Sequence, residues 1–325
     1  GVGNENWGCG GNFDPEDYAV EYRRFSVFLR NFKDAPLYLI ACGPSGNNAD
    51  WTRRFFEKLG RRRQIQGFAA HYYCGTAGTS TEYSVEQWYQ LIHRSAYMET
   101  LVKQQRAIMD GFDPERRIGL IVDEWGTWHP PTPGREPGFL WQQNTIRDAL
   151  VAALSLDIFN RHADKVVMSN IAQTINVLQA MILTEGEKML VTPTGHVYGM
   201  YAPHQGARSL RTSFEADSIS FKMGDEDQSL FGLAGSASLK GDKVFLTVVN
   251  PHADTPVEAT IELRGAGEAK SVVASVLTHD DIHAHNTFDA PDTVAPVEES
   301  LSISGKAFQH TFPAASVTAL SISLA

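Results

Sequence analysis

Two glutamates, Glu5 and Glu124, stand 119 residues apart, each at the end of a short stretch that reads as a strand. At about 40 residues per strand–helix unit, that separation is three units. In a closed barrel of such units, three strands on from the first is nearly the opposite wall, so both carboxylates can point into one mouth. Cleavage of a glycosidic bond needs such a pair, because the departing oxygen must receive a proton while the opposite face of the anomeric carbon is attacked. One carboxyl must then be protonated and the other ionised, a division that mutual repulsion and unequal burial produce. A glutamate at a strand end can also do no more than bond a loop amide. The neighbours weigh against that for the pair: Gly3-Asn4-Glu5-Asn6-Trp7 and Asp123-Glu124-Trp125-Gly126 offer small and aromatic residues, which suit a sugar better than a salt bridge. Asp123 reads as a supporting residue, since strand alternation points it away from the face that Glu124 occupies.

The elements that would position this pair are legible as apolar runs. Residues 37–43, 67–73, 118–124 and 165–170 are short and nearly continuous, as buried parallel strands are, and each runs into polar or aromatic residues. Between them the pattern predicts helices over 15–32, 49–59, 85–109 and 139–161, with Asp14 and Ser84 as N-caps and Pro15 in the first helical position. If Glu5 closes a further strand, the segment holds five strand ends and four helices in one register. That is more than half of a (β/α)8 barrel, a fold that collects its chemistry on the loops after the strands. The polar strand ends are Asn4-Glu5, His71 to Tyr73, Asp123-Glu124 and Asn170 to Gln173.

Beyond about residue 180 the composition changes, because all six tryptophans and all three cysteines precede residue 142. Val257, Ala259, Ile261 and Leu263 alternate with Glu258, Thr260, Glu262 and Arg264. Residues 243–250, 271–277 and the stretch around Val317 to Leu324 add strand candidates between turns. Such period-two patterning describes an antiparallel β-sandwich. The expected fold is therefore mixed: residues 1–180 form the C-terminal part of a TIM barrel, about strands four to eight, and residues 181–325 a β-sandwich.

A formal charge of −10 argues against a nucleic-acid surface, and no run approaches the roughly 18 apolar residues of a membrane span. Cys9, Cys42 and Cys74 are too few and too irregular for a disulfide framework and read as buried free thiols. His279, His283 and His285 lack a supporting cysteine or carboxylate spacing, so no metal site is expected there. Arg61-Arg62-Arg63 reads as a solvated turn after a helix. Gly1-Val2-Gly3 has no initiating methionine, no cap and no signal-peptide pattern, and reads as an internal stretch.

Taken together, these motifs resemble glycoside hydrolase family 51, in which an Asn-Glu pair after strand four and an Asp-Glu-Trp-Gly after strand seven hold the catalytic glutamates. His71-Tyr72-Tyr73, Trp125 to Trp128, Asn170 to Gln173, Thr192 to His204 and His285 to Phe288 resemble family stretches in the same order. The resemblance implies that Glu5 is the general acid/base, Glu124 the nucleophile and Asn4 the partner of the sugar 2-hydroxyl. His71, Tyr73, Trp128 and Gln173 complete the implied pocket. Tyr73 could steady the nucleophile, Trp128 offers an apolar face to a furanose, and Asn4 and Gln173 carry paired donors and acceptors.

The expected activity is retaining, exo-acting hydrolysis of terminal α-L-arabinofuranosyl groups from hemicellulose or oligosaccharides, without metal or organic cofactor and favouring the cytoplasm. The rivals are an endo-β-glucanase or xylanase on the same barrel and a catalytically silent carbohydrate-binding protein. The family also draws an Arg, an Asn, a Trp and a further Glu from its first three βα units, which this sequence lacks. The missing barrel part is expected from the same parent polypeptide or from a second chain, and the resemblance implies a homo-oligomer, commonly a hexamer.

Overall fold

The computed structural model describes residues 1–60, 64–265, 267–303 and 305–325, so the Arg61-Arg62-Arg63 turn lies outside the described residues. The chain divides into two compact units that interleave along the sequence. The first comprises Gly1–Tyr73, Tyr97–Trp125 and His162–Ile171, the second Cys74–Ala96, Gly126–Arg161 and Ala172–Ala325. Among the described residues no helix is long and apolar enough to cross a membrane.

The first unit is built on a parallel sheet in the order β1 (Ile40–Ala41), β2 (Gly67–Tyr73), β3 (Gly119–Gly126) and β4 (Val166–Ile171). Val2 adds a single parallel bridge to Ala41, so the start of the chain runs alongside in the same sense. Phe68, Ala70, Leu120 and Val122 are fully buried, as apolar parallel strands require. These strands make an open sheet, and no closed barrel is formed among the described residues.

Helices α1 (Pro15–Ser26) and α2 (Ala49–Leu59) pack through aromatic side chains. Tyr18 stacks on Phe55 at 5.5 Å, and Phe55 meets Phe68 of β2 at 5.2 Å. Trp51, Phe55, Phe56 and Leu59 line one face of α2, and Asn48 caps it by accepting from Trp51 N at 3.1 Å. The Tyr18 hydroxyl ties α1 to the sheet, accepting from Cys42 N at 2.6 Å and donating to the Val2 carbonyl. Burial raises the Tyr18 pKa far above that of an ordinary phenol, so this bridge stays neutral.

Helix α1 ends at Ser26, six residues before the position its apolar pattern suggests. Helix length is set by packing of the apolar face, and Phe25, Val27, Phe28 and Phe32 are all left exposed here. Asp14 is the N-cap residue, but its side chain makes no capping bond. Helix α3 (Val85–Phe112) begins with a reciprocal capping box, in which Gln87 N donates to Ser84 Oγ at 3.2 Å and Ser84 N to Gln87 Oε1 at 2.9 Å. Helix α4 (Ile146–Arg161) starts at 146 rather than 139. Leu140 takes a left-handed φ of 53°, and the first turn forms only where Asp148 Oδ2 accepts from Thr145 N at 2.8 Å.

The second unit carries the β-sandwich. A hairpin of β5 (Ile182–Glu185) and β6 (Lys188–Val191) leads to α5 (Pro193–Tyr201), then to β7 (Arg208–Leu210) and a hairpin of β8 (Ile219–Met223) and β9 (Glu226–Leu230). The remaining strands are β10 (Ala234–Lys240), β11 (Lys243–Asn250), β12 (Val257–Glu262), β13 (Ala269–Leu277), β14 (Val297–Leu301), β15 (Ala307–Phe312) and β16 (Ser316–Leu324). A six-stranded antiparallel sheet runs β14-β13-β16-β11-β10-β7, and the β12-β15 pair lays Ile261 and Phe308 on its inner face against Val244, Val272, Leu320 and Ile322. Alternate residues of β12 and β15 face outward, which is the period-two pattern read from the sequence.

Candidate active site

The first unit brings Glu5, His71, Tyr73 and Glu124 together. Glu5 sits at a turn with a left-handed φ of 44°, and its carbonyl accepts from Gly8 N at 2.8 Å and Gly10 N at 3.0 Å. A Cβ on Gly10 would lie 1.7 Å from the Asn4 carbonyl oxygen, so only glycine permits this tight return of the chain. His71 and Tyr73 are two apart on β2 and share a face, whereas Tyr72 points the other way and packs near Tyr97 at 5.8 Å. The His71 backbone is fixed by its carbonyl, which accepts from Gly46 N at 2.8 Å.

The side chains form one polar cluster. His71 Nδ1 lies 3.0 Å from Glu5 Oε1 and 3.4 Å from Glu124 Oε2, while its Nε2 lies 3.2 Å from Asp123 Oδ1. The last contact is close but poorly aligned for a hydrogen bond, and it acts as an ion pair. The Tyr73 hydroxyl donates to Glu124 Oε1 at 2.7 Å. Burial lowers the His71 pKa, but Asp123, the hydrogen bond to Glu5 and the charge of Glu124 outweigh it and raise the pKa to about 9. The ring is therefore cationic at neutral pH, with Nδ1 donating to Glu5 and Nε2 facing the Asp123 charge. Burial and the bond to Glu124 raise the Tyr73 pKa, so this phenol stays a donor.

The contacting atoms of Glu5, His71 and Glu124 all lie within 4.8 Å of one another, a spacing that could also hold a metal ion. A cation there would have to displace the His71 proton that now sits between the carboxylates. Elsewhere, His283 pairs with Asp281 at 2.9 Å and His285 Nδ1 lies 2.9 Å from the His283 carbonyl.

A family 51 arabinofuranosidase from Xanthomonas axonopodis pv. citri superposes on this chain with a TM-score of 0.92 at 37% identity, over 99% of this chain and 65% of that one. An intracellular exo-α-L-arabinofuranosidase of Bacteroides ovatus is also 37% identical, over 99% of this chain and 63% of its own. The profile of the α-L-arabinofuranosidase C-terminal domain matches residues 123–316, more than half of the chain. The chain belongs to glycoside hydrolase family 51. The arabinose complex of the Thermotoga maritima α-L-arabinofuranosidase shares its fold, with a TM-score of 0.77 at 22% identity over 99% of this chain and 65% of that one. This family 51 chain thus spans a little under two thirds of the relatives it matches.

Asn4 directly precedes Glu5 and is exposed. Trp128 and Gln173 belong to the second unit, where both are exposed. Two residues beside the cluster differ from expectation: Cys9 is exposed rather than buried, because it lies on the turn after Glu5, and Asp123 shares His71 with Glu124. Cys9 donates its thiol to Glu5 Oε2 at 3.3 Å, four residues on from Glu5 across the turn. Asp123 was expected to face away from Glu124, yet both reach His71, because β3 and β4 lose regular pairing between Val122 and Trp125 and strict alternation fails there.

Proposed function

We propose that the protein is a retaining, exo-acting α-L-arabinofuranosidase, with Glu5 as general acid/base and Glu124 as nucleophile. The observation that carries this reading is the closeness of the pair, whose facing oxygens lie within 4.8 Å. Retaining hydrolases hold their carboxyl groups about 5 to 5.5 Å apart, whereas inverting ones leave about 6.5 to 9.5 Å for a water between them. In the first step a Glu124 oxygen bonds to the anomeric carbon, the glycosidic bond breaks, and Glu5 gives its proton to the departing oxygen. In the second step Glu5 takes a proton from water, the water oxygen bonds to the anomeric carbon, and the Glu124 ester breaks. Tyr73 holds one Glu124 oxygen and leaves the other for attack. The His71 cation bonds Glu5 and offsets the charge of Asp123 beside the Glu124 nucleophile.

By the same reading Asn4 meets the sugar 2-hydroxyl, Trp128 covers the ring and Gln173 binds a further hydroxyl. Residues 1–180 would be part of a (β/α)8 barrel and 181–325 its sandwich domain. Exposed Tyr38 and Val167, at the N-terminal end of the parallel sheet, support a barrel wall supplied from outside this sequence. Relatives named intracellular support action inside the cell.

The test is kinetic and stereochemical, on an aryl α-L-arabinofuranoside. Glu124→Ala should abolish turnover, whereas Glu5→Ala should still attack an activated leaving group and be rescued by azide. A fluorinated or epoxide arabinoside should label Glu124. An adduct on Glu5, an inverted first product, or preferential cleavage of internal bonds in glucan or xylan would overturn the proposal.

A further inference from the structure

Two segments of the second unit carry candidate sugar contacts: 126–129, which holds Trp128, and 172–181, which begins beside Gln173. Trp128 is exposed, but Thr127 and His129 on either side of it are buried. Both buried neighbours converge on Asp148, in the first turn of α4 and wholly inaccessible to solvent. Thr127 Oγ1 donates to Asp148 Oδ1 at 2.8 Å, and His129 Nε2 lies 2.9 Å from the same oxygen. Gln142 closes the loop from behind, accepting from His129 N at 2.9 Å and donating to Thr127 Oγ1 at 3.2 Å. Burial raises the Asp148 pKa, but the pull of His129 and Arg147 outweighs it, so the carboxyl lies below its ordinary value and remains an acceptor at neutral pH.

The second segment joins the first through one side chain. Gln179 is fully buried; its Oε1 accepts from Thr127 N at 2.9 Å, and its Nε2 donates to the Asp148 carbonyl at 2.7 Å and lies 3.2 Å from Thr194 Oγ1. Its own backbone N donates to the Ala172 carbonyl at 2.9 Å, directly before Gln173. Gln173 is held by two further backbone bonds, from its N to the Val177 carbonyl at 3.0 Å and from Met181 N to its carbonyl at 3.3 Å. A Cβ on Gly126 would sit 3.0 Å from Gln179 Oε1, so glycine with its φ of 148° leaves the amide its place.

We propose that Gln179 and Asp148 are positioning residues that fix the spacing between the Trp128 segment and the Gln173 segment, and thereby set sugar affinity. This rests on the reading of Trp128 and Gln173 as substrate contacts. The arrangement is specific because each donor and acceptor of the Gln179 amide is used, and a buried amide left half-paired costs more than its bonds are worth in water.

The test measures KM, kcat, product inhibition by arabinose and thermal midpoint on the intact protein. Thr127→Val, which removes one hydroxyl at constant shape, and Gln179→Met, which removes all three amide hydrogen bonds at similar length, should each raise KM and the arabinose inhibition constant about tenfold. Thr127→Ser, which keeps the hydroxyl, should restore both values, and the pH midpoints of activity should not move. Trp128→Ala alone should weaken arabinose binding, and its combination with Gln179→Met should add little to that loss. If Trp128→Ala and Gln173→Ala both leave KM unchanged, the substrate-contact reading fails and this inference with it. If those two raise KM while Thr127→Val and Gln179→Met lower only the thermal midpoint, the residues are purely structural and the positioning role is overturned.

Discussion

The Nδ1 atom of His71 lies 3.0 Å from Oε1 of Glu5, in a cluster where the ring faces three carboxyl groups. The folded pKa of about 9 stands above the ordinary 6.5. A raised histidine pKa means that the folded state holds the proton more tightly than the unfolded chain, so its stabilisation is complete below pH 6.5 and is lost as pH rises through 9. The loss is at most about 3 kcal/mol. His71→Gln should flatten that part of the stability–pH curve, measured by urea unfolding between pH 6 and pH 10. Activity of the wild type should fall through the same window, and an activity profile level to pH 10 would show that the ring charge does not serve the pair.

Tyr73 offers a cleaner test of the proposed nucleophile, because its hydroxyl donates to Glu124 Oε1 at 2.7 Å. A hydrogen bond to a charged group contributes about 1.5 to 3 kcal/mol, or roughly tenfold to a hundredfold in rate where it orients the attacking atom. Tyr73→Phe should lower kcat/KM for an aryl arabinofuranoside by that factor while leaving the thermal midpoint within a few degrees. Unchanged kinetics would remove Tyr73 from the site.

Cys9 is exposed, with its thiol on Glu5 Oε2, whereas Cys42 and Cys74 are buried. The bond to Glu5, together with the Glu5 charge, raises the Cys9 pKa, so the reactive thiolate is scarce at neutral pH. Iodoacetamide should therefore modify one cysteine slowly at pH 7 and faster as pH rises, with activity lost in step with the added mass. Cys9→Ser should resist inactivation and keep its turnover within about threefold, since a hydroxyl can still donate to Glu5. Modification of Cys42 or Cys74 before Cys9 would contradict the burial that separates them.

The parallel sheet and the meeting of His71, Tyr73 and Glu124 are legible because buried parallel strands are unbroken apolar runs that end on these polar residues, whereas Glu5 comes from a turn after a single bridge at Val2 and not from the strand expected there. The sandwich strands were legible for a related reason: one dry and one wet face impose alternation, as in Val257 to Glu262. What escaped were features set by tertiary partners. The pattern carried helix α1 on to Phe32, but apolar side chains beyond Ser26 meet no surface that would hold a helix. Helix α4 was placed too early because Leu140 gives no sign of its left-handed backbone. Asp123 was assigned to the wrong face because a local pairing fault in β3 leaves no mark in the residue types. Nothing in the sequence singles out Asp148 or Gln179, since partners such as Thr127, His129 and Thr194 lie 15 to 52 positions away.

The second unit contains a buried acid whose behaviour should be visible apart from any chemistry at Glu5. Asp157 on α4 is fully buried; its Oδ1 accepts from Ser236 Oγ at 2.7 Å and Thr247 Oγ1 at 2.6 Å, and its Oδ2 from the Tyr201 hydroxyl at 2.9 Å. Burial raises its pKa and the three hydroxyls lower it, and burial prevails, taking the group from 3.8 to about 6. Between those values the folded protein holds more protons than the unfolded chain, so this group's contribution to stability falls as pH rises from 3.8 to 6 and stays at its lower level above that. The whole change amounts to about 3 kcal/mol. Asp157→Asn keeps the shape and an acceptor oxygen but cannot ionise, and the Tyr201 hydroxyl can rotate to accept from the new amide. Measured by urea unfolding, the stability of Asp157→Asn relative to wild type should therefore improve by up to about 3 kcal/mol between pH 4 and pH 7. A gap that stays constant, or widens in favour of the wild type, would mean that the hydroxyls outweigh burial and that Asp157 is ionised throughout.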